Sequence, residues 1–524
     1  MKVIFRVDAS FVIGTGHVMR CRTLATALKK QGVSVYFVTR AHLGHLAATL
    51  ELDGFNVVLL PRPLSNKDSG NTYADWLGVS QYEDAAQTLD AIACLSCDWL
   101  IVDHYGLDQI WEEQLKPHTR KLMVIDDLAN RKHVCDLLLD QNYAVDGEAR
   151  YQLWVPRHCH LLLGPRYALL RPEYAQYREN MAPRTGDIKR LLVYMGGGDN
   201  HNVTSKVLFA LCATRFSHLE VDVIIGPNYL FKNEVIRIAK SRPNTHIHGN
   251  RPHLADLMAR ADLAIGAGGA TTWERICMGL PTLVISIAEN QEATCKGLEL
   301  AGLIRYLGAA HKVDVFMIES ALSNMLADDT CLEMADSSLK SLVDGLGANR
   351  VVEVIKPTPC ECLTIRQANP NDLLTYFSWA NDVLVRSMAF DTKPIPLNVH
   401  IDWFDSRLCD ADTRLYILQA EGLPVGQIRF KLHKEEATID YSLDEFVRGR
   451  GWANQLLKLG IAALNPHKDM LLTAAVRQNN FASSATFLRF GFIEKMINKE
   501  EDVRYFQLSI QDASLENEAA NKHG

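Results

Sequence analysis

Gly14-Thr15-Gly16-His17 lies between a strand-like run, Lys2-Val3-Ile4-Phe5-Arg6-Val7, and an apolar pattern of helical spacing over 18–30; the reading of that junction decides the fold. Two glycines let the backbone turn tightly and approach a ligand closely. The helix that follows offers unpaired N–H groups and the positive end of its dipole to an anion. A histidine held there is biased toward its neutral form, the state a general base needs. The run is not a dinucleotide fingerprint. Met19 stands where a third glycine belongs, and the second strand, 33–38, leads into Thr39-Arg40 rather than an acid that holds a ribose. Taken alone, the loop reads more readily as a helix start with His17 as a capping surface residue.

At 524 residues the chain has room for about three domains. Hydrophobic content of 48%, charged content of 22% and a net charge of -7, with no long apolar run and no secretory signal pattern, predict a cytoplasmic protein without membrane insertion. The acidic balance argues against nucleic acid, whose phosphates demand a basic surface. The cysteines, among them Cys21, Cys135, Cys277, Cys331 and Cys409, read as reduced core residues. Cys94-Leu95-Ser96-Cys97 has redox or zinc spacing without a second pair to complete a site, and His158-Cys159-His160 reads as strand, so no metal is expected.

Upstream of Gly186, strands are expected near 2–7, 33–38, 56–60, 99–103, 121–126 and 136–139, alternating with helices as in a parallel sheet. Ligands in such sheets sit at the carboxyl ends of strands. Asp8, Asp103-His104-Tyr105-Gly106, Asp126-Asp127 and Asn142 all fall there and are expected to converge. A second series starts with strands at 191–195, 221–225, 262–265 and 281–287. Met195-Gly196-Gly197-Gly198-Asp199-Asn200 leaves its first strand, and Gly266-Ala267-Gly268-Gly269-Ala270-Thr271-Thr272 opens a helix containing Glu274. Backbone N–H groups there suit a diphosphate and the Glu274 carboxylate suits ribose hydroxyls, although each loop taken singly is ordinary turn chemistry. With Glu289-Asn290-Gln291-Glu292 after the next strand, the set describes a nucleotide-sugar pocket between two facing Rossmann-like lobes, an α/β architecture of glycosyltransferase-B type.

Lys356-Pro357-Thr358-Pro359 interrupts regular structure. The division expected from sequence is therefore a first lobe at 1–186, a second at 187–355, a linker at 356–362, a mixed α/β domain at 363–510 and a polar, disordered tail at 511–524. Strands in the third unit are expected near 415–420, 425–432, 436–443 and 470–476, with His433-Lys434-Glu435 as a hairpin.

Gly14-Thr15-Gly16-His17, Asp103-His104-Tyr105-Gly106, Arg166-Tyr167-Ala168-Leu169-Leu170-Arg171, Met195-Gly196-Gly197 and Asn290-Gln291-Glu292 together resemble the UDP-sugar hydrolase family of the pseudaminic-acid pathway, over about residues 1–350. That family cleaves UDP-2,4-diacetamido-2,4,6-trideoxy-β-L-altropyranose to free sugar and UDP. The resemblance implies that His17 is the base activating water for inversion at the anomeric carbon. It also implies that Gly14, Gly16, Gly196, Gly197 and Gly269 line the diphosphate, Glu274 holds ribose, Asn290 meets sugar or phosphate, and Asp8 and Tyr105 belong to the cleft.

Arg448-Gly449-Arg450-Gly451-Trp452-Ala453, with Asn480, Ser483, Phe487 and Gly491-Phe492 beyond a strand, resembles the GCN5-related N-acetyltransferases (GNAT). The resemblance implies acetyl-CoA as co-substrate, held through its pyrophosphate by residues 448–453 and by Asn480. It departs at Phe487, where many members carry a tyrosine thought to protonate the leaving thiolate; Tyr505 or a water is left as a substitute. Trp379-Ala380-Asn381-Asp382, Arg386-Ser387-Met388 and His400-Ile401-Asp402-Trp403-Phe404 resemble the acetyltransferases of UDP-4-amino sugars, with Arg386 and His400 at the substrate or, alternatively, as helix chemistry. Three rival readings stay open: transfer of the sugar to an acceptor other than water, a sugar-nucleotide-binding protein without turnover, and acetylation of another amine. UDP-linked amino sugars are the expected partners; oligomeric state and sugar stereochemistry are not written in the sequence.

Overall fold

The computed structural model describes residues 1–63, 72–197, 199–226, 229–249, 251–328, 338–467, 470–498 and 502–510; Gly198, Cys331 and the expected tail at 511–524 lie outside them. The chain forms two compact units, Met1–Ile355 and Lys356–Gly524.

The first unit holds two parallel sheets. One contains β1 (Lys2–Val7), β2 (Ser34–Arg40), β3 (Asn56–Leu60), β4 (Trp99–Asp103), β5 (Lys121–Ile125), β6 (Leu137–Asp140) and β7 (His160–Leu163), in the order β3-β2-β1-β4-β5-β6-β7. The other contains β8 (Arg190–Tyr194), β9 (Glu220–Ile224), β10 (Thr245–His248), β11 (Leu263–Ala267), β12 (Thr282–Ser286) and β13 (Arg305–Ala309), in the order β10-β9-β8-β11-β12-β13. In each, the order reverses beside the first strand, which creates the crevice where doubly wound sheets bind ligands. Strands of a buried sheet are apolar on both faces: Val3, Phe5 and Val7 pack against the helix Gly16–Lys30 side, while Ile4 enters the opposite core with Leu100, Val102 and Trp111. This is the glycosyltransferase-B type of architecture.

The cores do not respect a division at 186/187. Tyr174 of the helix Pro172–Asn180 packs with Leu254, Trp273 and Ile276 in the second lobe. In return Ala348, Val351, Val352 and Ile355 of the helix Gly347–Ile355 complete the first-lobe core beside Val18, Leu24 and Phe37. The two connecting segments cross in close contact, for a Cβ added at Gly347 would lie 2.3 Å from the Ala168 carbonyl oxygen.

The second unit is a mixed sheet of β14 (Thr364–Gln367), β15 (Thr413–Ala420), β16 (Leu423–His433), β17 (Glu436–Leu443), β18 (Leu471–Arg477), β19 (Ile493–Asn498) and β20 (Val503–Ser509), ordered β14-β15-β16-β17-β18-β20-β19. Pairing is antiparallel except between β17 and β18. The hairpin turn is Lys434-Glu435, closed by the His433–Glu436 pair. All described cysteines are free thiols, but Cys94, Cys212, Cys360, Cys362 and Cys409 are exposed, not core residues; Cys94, Cys212 and Cys409 fall at the ends of helices rather than on their packed faces.

Candidate functional site

The glycine-histidine loop is folded by Ser10, whose hydroxyl accepts from the N–H groups of Val12 and Ile13 while its carbonyl accepts from Gly14. Gly14 has φ +81°, a backbone state that a side chain disfavours. The helix that begins at Gly16 has neither an acidic residue in its first turn nor a side-chain cap, leaving its positive end for another anion. His17 and Arg20, one turn apart on this helix, both reach Asp103 at the end of β4. His17 Nδ1 lies 2.6 Å from Asp103 Oδ1, and Arg20 donates from Nε and Nη2 to the two carboxylate oxygens at 2.6 and 2.7 Å.

Burial alone would raise the Asp103 pKa, but the adjacent Arg20 and His17 hold it well below the usual carboxylate range. An ionised carboxylate only accepts, so the Nδ1 of His17 carries a proton, and in the neutral ring the lone pair is then on Nε2. Arg20 Nη2 is also 3.2 Å from Nδ1, a longer contact that the 2.6 Å carboxylate bond outweighs. Arg20 continues to Asp127 at 3.2 Å, and Asp127 accepts from the Tyr105 hydroxyl. The Tyr105 ring stands edge-on to His17 at 4.6 Å and stacks on Trp76, with Tyr73 alongside, so aromatic faces border the histidine.

This cluster meets the second lobe. A Cβ placed on Gly197 would lie 3.7 Å from Thr15 Oγ1, which sets the loop after β8 against the glycine-histidine loop. Asn290 donates to the Tyr105 hydroxyl at 3.4 Å, and the Trp273 indole donates to Asn142 at 3.2 Å. The loop after β11 is held from behind by the buried guanidinium of Arg275, which donates to the Ala267 carbonyl at 2.7 Å and to the hydroxyls of Thr271 and Thr272. Within that loop Gly268 is indispensable for packing, because a Cβ there would be 2.3 Å from Cys295 Sγ; Gly269 lies beside the Gln291 amide. Glu274 is half-buried in the first turn of the helix Thr271–Cys277, and burial pushes its pKa up to about 7 against the opposing effects of Tyr174, Arg275 and Arg171.

The strand-end acids do not all converge. Asp8 is 1% exposed and bonds Arg6, the Arg40 backbone N–H and Thr39. Arg6 and Arg40 share Asp84, which also accepts from the Trp111 indole. Asp8 therefore anchors the interior of the sheet rather than lining the cleft, since its partners are the buried Arg6 guanidinium and groups of the adjoining strand. Asp126 likewise pairs with Arg131 and caps Ala129. Arg20, Arg275, Tyr73 and Trp76 escaped the sequence reading. Only the spacing of His17 and Arg20 on one helical face signalled the first.

In the second unit, Gly449 and Gly451 precede the helix Trp452–Leu464, and a Cβ at either would meet nothing within 4 Å. This open cradle at a helix start suits a pyrophosphate. Trp452 is 3% exposed, with the Arg450 guanidinium over its ring at 5.3 Å. Arg448 turns away to Asp382 at 2.7 Å and to the Leu443 carbonyl. Asn480 caps the helix Phe481–Phe490 by accepting from Ser483 N–H. One expectation is corrected here. His400 is 2% exposed and packs among Phe377, Trp403 and Phe404, inside the core instead of at a substrate. Arg386 braces its own loop, donating to the carbonyls of Asp391 and Lys393. Among the described residues no group of His, Cys, Asp and Glu is arranged to hold a metal, and no described helix is long and apolar enough to cross a membrane.

Fold and site define a two-part chain: a nucleotide-sugar type of α/β unit followed by an acetyltransferase domain. Residues 363–493 match the family model described as Acetyltransferase (GNAT) domain. Over 303 residues the chain is 27% identical to the UDP-2,4-diacetamido-2,4,6-trideoxy-β-L-altropyranose hydrolase of Campylobacter jejuni, covering 58% of this chain and 97% of that protein. It is 25% identical to the spore coat polysaccharide biosynthesis protein SpsG of Bacillus subtilis, covering 68% of this chain and 98% of that one. An uncharacterized protein of Methanocaldococcus jannaschii is similar along nearly the whole length, 22% identical with 96% of this chain and 99% of that protein covered. The chain is thus similar to a UDP-sugar hydrolase at its amino-terminal end and carries a GNAT domain at the other.

Proposed function

We propose that the amino-terminal unit hydrolyses UDP-2,4-diacetamido-2,4,6-trideoxy-β-L-altropyranose to the free sugar and UDP, with inversion. In the preceding step the GNAT domain acetylates, from acetyl-CoA, the 4-amino group of the UDP-amino sugar that gives rise to this substrate, so the chain carries consecutive steps of pseudaminic acid formation. The observation that carries the hydrolytic reading is the 2.6 Å bond from Asp103 to His17 on a loop set against Gly197. With Nδ1 committed to Asp103, Nε2 takes a proton from water as its oxygen attacks C1. The C1–O bond to the β-phosphate breaks, and UDP leaves with its diphosphate at the glycine loops of the second lobe and its ribose at Glu274. Tyr73, Trp76 and Tyr105 give the apolar 6-deoxy face of the sugar an aromatic border.

UDP release from the UDP-sugar with no added acceptor, followed by NMR of the first-formed anomer, tests this. His17→Asn is expected to lower turnover by about 10²–10⁴-fold while leaving UDP binding within a few-fold. UDP release only when a second sugar or lipid acceptor is supplied overturns the choice of water.

A further inference from the structure

Phe487 leaves the acetyltransferase domain without the usual proton donor, and the fold places another phenol beside it. β17 pairs with β18 only over Glu436–Thr438 against Leu471–Thr473, where Thr438 and Thr473 hydroxyls close the gap at 3.2 Å. Beyond that point the strands part: β18 continues with β20 alone, and β17 runs on to the glycine cradle at 449–451. The edge of β17 over residues 439–443 that faces β18 has no partner strand among the described residues. This unpaired edge and the glycine cradle follow one another in the chain, so a ligand anchored by its pyrophosphate at the cradle can extend along the edge.

Tyr441 lies on this stretch. Its ring meets Phe487 edge-on at 5.6 Å, and its hydroxyl donates to Ser483 Oγ at 3.4 Å. Ser483 is itself fixed, its N–H bound by Asn480. Tyr505 is ruled out by sheet geometry: its neighbour Phe506 stacks on Phe487, so Tyr505 projects from the opposite face. Burial raises the Tyr441 pKa against the opposing effects of Ser483 and Thr486, so the phenol keeps its proton at neutral pH.

We propose that Tyr441 is the acid that protonates the departing coenzyme A sulfur, in place of the tyrosine absent at 487; the assignment rests on the acetyltransferase reading above. The amine lone pair attacks the acetyl carbonyl carbon, the C–N bond forms, and the C–S electrons pass to sulfur. Sulfur takes the proton from the Tyr441 hydroxyl, giving free thiol. The phenolate regains a proton from solvent through the Ser483 hydroxyl, and the acylated nitrogen loses its extra proton to water.

Steady-state kinetics of the full chain with acetyl-CoA and a UDP-4-amino sugar, and calorimetric binding of CoA and desulfo-CoA, test it. Tyr441→Phe is expected to lower kcat by about 100-fold or more with KM for acetyl-CoA little changed, and the double variant Tyr441→Phe/Phe487→Tyr to recover at least about tenfold. Tyr505→Phe is expected to match the parent. The parent should bind CoA more tightly than desulfo-CoA by up to about tenfold, the worth of one hydrogen bond, and Tyr441→Phe should erase that gap. An unchanged kcat or an unchanged CoA to desulfo-CoA ratio in Tyr441→Phe overturns the assignment. If the parent does not turn over the amino sugar, the acceptor reading falls, and the binding ratio still decides the role of Tyr441.

Discussion

The two sheets of the amino-terminal unit share one strand plan, with the first strand beside the second on one side and the fourth on the other, yet their strand ends are furnished differently. The first lobe gathers charge: Asp8, Asp84, Asp103, Arg6, Arg20 and Arg40 are buried in two ion-paired networks. The second lobe gathers backbone, in glycine loops over an apolar core, with one guanidinium holding a loop from behind. A buried charge is tolerable only with all its partners in place, so the first lobe fixes a side chain for chemistry. N–H groups on a loop recognise a diphosphate without such wiring. On the proposed reading, then, one lobe positions a proton and the other holds a leaving group.

Substitutions can break that contrast. Asp103→Asn should be the most severe, because the amide no longer fixes the His17 tautomer and leaves Arg20 with a weaker partner. Turnover is expected to fall by up to about 10⁴-fold with UDP binding retained, read by stopped UDP-release assays and calorimetry. Asp84→Asn lies farther from the cleft but strips two buried arginines of their shared carboxylate; denaturant unfolding is expected to show a loss of about 3–5 kcal/mol. The smallest effect belongs to the second lobe. On the proposed reading, ribose hydroxyls donate to an ionised Glu274, whose pKa is pushed up to about 7. Uridine, which has no phosphate to titrate, should bind about tenfold more tightly at pH 8 than at pH 6, as the ionised fraction rises; Glu274→Gln should flatten that dependence in an NMR titration.

The central strands were legible because buried parallel strands are continuous apolar runs, as at Lys2–Val7 and Leu137–Asp140. β10 and β13 were not, being short, half-buried edge strands with polar residues such as His246, His248 and Arg305. The Gly14–His17 loop and Asp103 stood out as residues at strand ends, but their direct contact depends on which side of β4 the helix packs, a tertiary fact. His400 was misread although the signal was present: with Trp403 and Phe404 it forms an i, i+3, i+4 face on the helix Leu397–Cys409, the spacing of a core stripe. Asp8 misled for the opposite reason, since position at a strand end does not reveal that Arg6 and Arg40 enclose it.

The helices that Pro172–Asn180 and Gly347–Ile355 contribute to each other's lobes have a practical corollary. A gene cut between the lobes would deprive each half of one wall, exposing Val351 and Val352 on one fragment and Tyr174 on the other. Neither half is a self-sufficient piece for expression, and the smallest excisable piece with both lobes complete runs from Met1 through Ile355.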